Sequence, residues 1–235
     1  METEKSQESR RLLASVKEKY NDPDELELRL EELKIGLREE ERNFVEKYPA
    51  GGRLLDIGCA TGRLCFALAR LGYIVTGIDV AKKQIEQALR IAEKKRINAV
   101  FRQYEMPTLP LSDASFAAAF MGNVYCYVPH RASRIAFLEE IARVLYPDGE
   151  VLMSQTVLDS VLKNYDEVYD ANHHRFAFEY DTLEEGDGFA LGAPHYLHFF
   201  FADDLIAELE ASPFDVANPV LLDEKLTCVL RKQST

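Results

Sequence analysis

The stretch Leu54–Asp79, LLDIGCATGRLCFALARLGYIVTGID, carries an apolar run ending in an acid, Leu54-Leu55-Asp56-Ile57. A turn of small residues, Gly58-Cys59-Ala60-Thr61-Gly62, follows, then a helical pattern and a second apolar run that closes on Asp79. A strand, a glycine turn, a helix and a strand in this order form a unit that binds a ligand at the carboxyl end of its first strand. A dinucleotide loop needs Gly-x-Gly-x-x-Gly, and here only Gly58 matches, with Ala60 and Arg63 at the other glycine positions. A P-loop ends in Gly-Lys-Ser/Thr, whereas Gly62 is followed by Arg63-Leu64. What is left is apolar–Asp–x–Gly–x–Ala–x–Gly with a second acid 79 − 56 = 23 residues on. The glycines let backbone pass close to a ligand. Asp56 is placed to accept from a ligand amine or to orient the loop, and Asp79 to accept from two ribose hydroxyls or to cap the next helix.

Outward from this unit the chain alternates strands and helices. Strands are expected at Arg53–Ile57, Tyr73–Ile78, Ala99–Gln103, Phe116–Phe120 and Glu150–Gln155, with helices at Arg63–Leu71, Lys82–Arg96 and Arg131–Leu145. Ile85, Leu89 and Ala92 share one helix face, and Pro147-Asp148-Gly149 reads as a turn. The expected fold is α/β: a doubly wound, Rossmann-like, mostly parallel seven-stranded sheet. Asp203–Glu210 adds a helix, and Phe214–Leu222 with Leu226–Arg231 form a C-terminal antiparallel hairpin.

Residues 1–48 are expected as an N-terminal helical cover and 49–235 as the main domain, with a lid insertion over about 157–200. Residues 1 to about 20 are polar and expected to fray. Asn21-Asp22-Pro23 starts a helix carrying Leu26, Leu30, Leu33 and Leu37. In the lid, Phe176, Phe178, Leu197 and Phe199 alternate as an antiparallel strand pair would.

The 235 residues are 47% hydrophobic and 29% charged, a globular composition, and the net charge of -12 opposes a general binder of phosphate backbones. Cys59, Cys65, Cys126 and Cys228 have no CxxC spacing and no clustered His, so neither zinc nor a disulfide framework is suggested and no metal site is expected. Reduced thiols, a charged N-terminus and no apolar run of membrane length give a soluble, cytoplasmic expectation.

Residues 53–155 resemble a class I S-adenosylmethionine-dependent methyltransferase. LLDIGCATGR resembles the family's first motif, LDIGCGTGR, with Ala60 for the commonest Gly. VTGIDV resembles the second, whose acid binds ribose, with Ala81 where a Ser is usual. QYEMPTLPLSDASFAAAF resembles GDAEDLPFPDNSFD, which puts Glu105 at the acid near the adenine amino group and lets Met106 offer its backbone N–H. MGNVYCYVP resembles SNAVLHHVP, with Gly122 at the Asn position and Cys126-Tyr127 for the paired His, and FLEEIARVLYPDGEVLMSQ completes the match. The resemblance implies S-adenosylmethionine as cosubstrate and S-adenosylhomocysteine as product. It implies cofactor contacts from Asp56, Gly58, Cys59, Ala60, Gly62, Asp79, Val80, Glu105, Met106, Gly122 and Asn123.

On the acceptor side the expectation is a small molecule methylated at oxygen or nitrogen. Tyr125, Tyr127, His130, Tyr165, Arg175 and His195 are its expected contacts. The lid holds His173, His174, His195 and His198, and imidazole is the group best able to take a proton near neutral pH. His173 and His174 are the first choice as base, beside Arg175 and Tyr165. Two other readings stay open: a tRNA-modifying methyltransferase, and a binding or regulatory protein that senses the cofactor without turnover. A homodimer is compatible with either reading.

Overall fold

Seven strands form one sheet in the order β3-β2-β1-β4-β5-β9-β8. They are β1 (Arg53–Ile57), β2 (Ile74–Asp79), β3 (Ala99–Gln103), β4 (Phe116–Gly122), β5 (Leu145–Thr156), β8 (Phe214–Leu222) and β9 (Lys225–Lys232). The computed structural model describes residues 4–158, 175–190 and 193–233. The first five strands pair in parallel, while β9 runs antiparallel between β5 and β8. The expected architecture is present. The strand order reverses beside β1, so the glycine turn after β1 opens at the switch point of the sheet.

Successive residues of a strand face opposite sides, so Leu54 joins one core layer and Leu55 the other. Leu54 packs with α4 (Arg63–Arg70) and α5 (Lys82–Lys95), while Leu55 packs with α6 (Arg131–Val144) and α7 (Ala202–Glu210). On α5 the buried stripe is Gln84, Ile85, Ala88 and Ala92. The expected Leu89 falls at the stripe's margin and is 47% exposed. Pro147-Asp148-Gly149 makes no free turn, because β5 starts at Leu145 and takes up the extra residues where its register with β4 shifts.

The N-terminus corrects the sequence-based expectation most. Residues 4–20 are ordered as α1 (Glu4–Tyr20), with α2 (Pro23–Glu32) and α3 (Glu39–Val45) after it. Asp22 caps α2 by accepting from Asp24 N–H, as Asp22-Pro23 foretold. Leu12 and Val16 are fully buried against Phe189 and Tyr196 of a short antiparallel pair, β6 (Asp187–Phe189) and β7 (Tyr196–His198). Two apolar residues four apart are a faint signal within a charged segment, and their partner lies about 180 residues away. Among the described residues of 157–200 the paired strands are β6 and β7, not strands through Phe176 and Phe178. Ala177–Glu179 is a single 3-10 turn, and Phe178 is 77% exposed.

Candidate active site

A cleft of about 650 Å³ opens at the carboxyl edge of the sheet. Its floor is the glycine turn, and its roof is α1 and α2, through Val16, Lys19, Tyr20, Arg29 and Glu32. Hydrogen bonds hold the roof to the turn and to α5. Thr61 Oγ1 donates to Arg29 O at 2.9 Å, Gln84 Nε2 to Tyr20 O at 2.9 Å, and Lys83 N–H to Asn21 Oδ1 at 2.8 Å.

The turn is shaped by close packing. Gly58 has φ +73, and a Cβ there would lie 2.3 Å from Val124 Cγ2; Gly62 has φ +92 and no room beside Phe101 and Phe66. Asp79 ties the turn to β2: one carboxylate oxygen accepts from Ala60 N–H at 2.9 Å, the other from Ala81 N–H at 2.8 Å. Each oxygen keeps a further lone pair, so Asp79 holds the loop and remains able to accept from a ligand hydroxyl. Burial raises its carboxyl above the usual range, opposed by those two backbone donors.

Asp56, at the end of β1, is buried at the cleft wall and accepts from the Cys65 thiol at 3.2 Å. Among the described residues no guanidinium or ammonium pairs with it, and burial pushes its carboxyl up to about 7. Arg63, the one cation of the turn, is spent elsewhere. It grips Glu41 through two bonds of 2.5 and 2.8 Å and donates to Gly36 O at 2.6 Å. A phosphate ligand would therefore find no free cation in the turn, whereas a cationic ligand with hydroxyls would find two buried acids. An adenosyl sulfonium with an ammonium group fits that donor set. The Tyr104 hydroxyl, buried in the same wall and influenced by Asp79, has no partner among the described residues.

Asp56, Gly58, Cys59, Ala60, Asp79, Val80, Met106, Gly122 and Asn123 all border the cleft. Asn123 has φ +50; its N–H donates to Ser154 O at 2.8 Å and its Oδ1 accepts from Thr156 N–H at 2.7 Å. Gly62 stands behind the turn as the start of α4. Glu105 corrects the expectation: its side chain is 69% exposed and pairs with Lys17, and the wall is made by its neighbours Tyr104 and Met106. An extended segment points successive side chains opposite ways, so the acid turns out when Tyr104 turns in.

On the acceptor side Tyr127 borders the cleft, its hydroxyl 2.8 Å from that of Tyr20 and the two rings edge to face. Tyr125 does not reach it. Its ring stacks on Phe200 in the core and its hydroxyl donates to Glu208 at 2.8 Å, in the same buried cluster as Arg134. His130 is buried at the start of α6, away from the cleft, with neither nitrogen hydrogen-bonded among the described residues. Burial lowers its tendency to protonate. Arg175 is exposed over Phe176, and His195 lies off the cleft with Nδ1 sealed and without a hydrogen bond among the described residues. His173, His174 and Tyr165 lie outside the described residues.

The lid histidine that lines the cleft among the described residues is His198, on β7. Its Nδ1 lies 2.8 Å from Asp187 Oδ1, an oxygen that also accepts from Tyr196 O–H at 2.6 Å. One signal in the sequence could have singled it out, its spacing from Tyr196. His198 follows Tyr196 at a strand spacing of two, and both face an acid on a paired strand. Nothing local in sequence marks Asp187 as that acid.

Among the described residues no three His, Cys, Asp or Glu side chains could hold a metal ion, and no helix is long and apolar enough to cross a membrane.

Residues 54–149 match the family described as a methyltransferase domain. An O-methyltransferase of Pyrenophora dematioidea is 32% identical over 142 residues, 58% of this chain and 50% of that protein. The 27-O-demethylrifamycin SV methyltransferase of Amycolatopsis mediterranei is 35% identical over 112 residues, 46% of this chain and 40% of its own. The chain thus spans about half the length of the curated relatives it matches. A crystal structure of a SAM-dependent methyltransferase from Methanosarcina mazei superposes with a TM-score of 0.70 at 24% identity, covering 84% of this chain and 98% of that one. Residues 54–149 thus match a methyltransferase domain, and most of the chain shares the fold of a solved SAM-dependent methyltransferase, with the glycine turn and two buried acids at the carboxyl edge of its sheet.

Proposed function

We propose that the chain methylates a hydroxyl oxygen of a small, largely apolar molecule, using S-adenosylmethionine. When bound, this cosubstrate supplies a methyl group on a positively charged sulfur. Asp79, Asp56 and the Gly58–Gly62 turn are assigned to hold it, with Val80 and Met106 beside its base and Gly122-Asn123 beside the reacting carbon. The protein's contribution is then positioning and exclusion of water, which supply most of the acceleration for an in-line transfer.

The observation that carries this reading is the make-up of the cleft beyond Asn123. Tyr20, Tyr127, Leu158, Leu197 and Phe200 give it an apolar, aromatic wall under the roof of α1 and α2. Such a chamber suits a small ring system. That relatives at 32 and 35% identity are named for transfer to oxygen supports the choice of atom.

Calorimetry with S-adenosylhomocysteine and NAD tests the cofactor, and transfer of a labelled methyl group to phenols, aliphatic alcohols, amines and bulk tRNA tests the acceptor. Binding of the adenosyl ligand alone, with label in a hydroxyl compound, is expected. Label only in amines or tRNA would overturn the oxygen assignment, and binding of NAD alone would overturn the cofactor assignment.

A further inference from the structure

The geometry points to His198 as the general base of this site, with Asp187 and Tyr196 as its positioning residues. The inference rests on the O-methylation proposed above, and it assigns the proton. In a 3.0-Å-class hydrogen-bonded array the nitrogen facing a carboxylate carries the hydrogen, so the other nitrogen is left with its lone pair. Here Asp187 faces Nδ1 at 2.8 Å. Asp187 is itself over-determined: Oδ1 also takes the Tyr196 hydroxyl at 2.6 Å, and Oδ2 takes the Glu184 N–H at 2.8 Å. Burial disfavours its charge, but the bonds from His198, Tyr196 and Glu184 outweigh this and hold the carboxyl below its usual range. It therefore stays an anion that accepts from Nδ1–H.

Nε2 is then the free lone pair. It has no hydrogen-bond partner among the described residues and, unlike Nδ1 of His195, it is not sealed from solvent. The ring is also fixed from its edges. Phe200 meets it edge to face at 4.4 Å, and the Cε1–Nε2 edge lies along Gly186 (φ +88), where a Cβ would come within 2.8 Å of Cε1 and 3.0 Å of Nε2. A ladder of contacts brings His198 to the reacting edge of the sheet. Asn123 Oδ1 binds Thr156 N–H at 2.7 Å, and two residues on Leu158 N–H donates to Phe200 O at 2.9 Å. Asn123, Thr156, Leu158, His198 and Phe200 all line the one cleft.

Nε2 takes the acceptor's hydroxyl proton as that oxygen forms its bond to the methyl carbon. The electron pair of the breaking carbon–sulfur bond returns to sulfur, and the imidazolium then gives its proton to water. Atoms and charge balance without a metal or redox partner. Asp187 bonds the ring directly, His130 acts on Asp187, Arg134 and Cys126 act on Tyr196, and Lys19 and Tyr127 line the same cleft as His198.

Nitrogen NMR of 15N-histidine protein bound to S-adenosylhomocysteine, with the His198 signal assigned by its loss in His198→Gln, reads the tautomer directly. The expected neutral form carries hydrogen on Nδ1, and Asp187→Asn shifts hydrogen toward Nε2. Kinetics with catechol as the acceptor probe provide the second arm. His198→Gln should lower kcat about 100-fold or more with KM little changed, the usual share of a general base. Any rise of rate with pH that reports deprotonation of the base should vanish in that variant. Asp187→Asn should slow the reaction less than His198→Gln, because it removes only the group that orients the ring. Both variants should keep S-adenosylhomocysteine affinity within about twofold of wild type, as neither side chain belongs to the cofactor floor. Hydrogen on Nε2 of the neutral ring, or an intact pH rise in His198→Gln, would overturn the assignment. Failure of catechol to react would count against the acceptor proposed above, while the tautomer would still decide the base.

Discussion

Replacing Asp56 with Asn removes a buried charge and little else. The amide keeps the shape and can still accept from the Cys65 thiol, 3.2 Å from the present carboxylate. Burial raises the carboxyl from its ordinary 3.8 to about 7. The sign follows from linkage: a raised carboxyl favours the protonated folded state, so stability is kept below the unfolded value and lost as pH climbs through 7. At about 1.36 kcal/mol per unit, the raised carboxyl costs the fold about 2 kcal/mol at pH 5, where it is held protonated, and about 4 kcal/mol at pH 8, where it is charged. Asn carries no such dependence. The ligand-free Asp56→Asn protein should therefore melt higher than wild type, with an advantage that grows by about 2–3 kcal/mol from pH 5 to pH 8. For a chain of this size that growth is about 5–10 °C in Tm. Differential scanning calorimetry of both proteins across that range measures it. S-adenosylhomocysteine should reverse the order at pH 8, because its ammonium offsets the charge in wild type and has no partner in the variant. An advantage for Asn that stays constant from pH 5 to pH 8 would refute the buried, unpaired acid.

The Gly58 turn can be tested by a double-mutant cycle. Gly58→Ala should cost about 1–3 kcal/mol and abolish cofactor binding; Val124→Ala on top should restore part of both, since the next atom, Val124 Cβ, is 3.7 Å away. Recovery absent from calorimetry of the double variant would mean that backbone strain at φ +73 dominates. Asp79→Ala should weaken S-adenosylhomocysteine by about 2 kcal/mol or more, and unchanged affinity would remove Asp79 from the site. The protein alone should show no sub-micromolar gel shift with tRNA at physiological salt, a consequence of its net charge of -12.

The half of the molecule that binds the cofactor could be read locally because its constraints are local. Gly58, Asp56 and Asp79 sit at the ends of strands whose positions follow from apolar runs, and each run fixes what its last residue faces. The ends of β1, β3 and β8 fall where the sequence placed them. Even there the roles were only partly legible. Asp79 was weighed as a ribose acceptor or a helix cap, and its bonds to Ala60 and Ala81 show it holding the turn as well. Glu105 was carried into the site by alignment alone, and the alternation of an extended segment turned it out to Lys17.

The acceptor half resisted for a physical reason that its histidines illustrate. Each imidazole means something only through its partner, and the partners are distant or on another element. His130 and Tyr125 follow β4 directly, yet both turn into the core around Arg134 and Glu208, a pair joined by bonds of 2.7 and 3.0 Å across 74 residues. Charged residues on two surface-like helices gave no hint of that pairing, and burial of both charges holds only because they meet. His198 works in the opposite sense. It is oriented by Asp187 on β6, and the β6–β7 pair is itself seated on Leu12 and Val16 of a helix about 180 residues earlier in the chain. Hence α1 has two tasks: it roofs the cleft with Lys19 and Tyr20, and its buried face supports the strands that aim His198. Loosening Leu12 or Val16 should then disturb acceptor chemistry before it disturbs the cofactor floor, because β1 and β2 have their own cores on both sides.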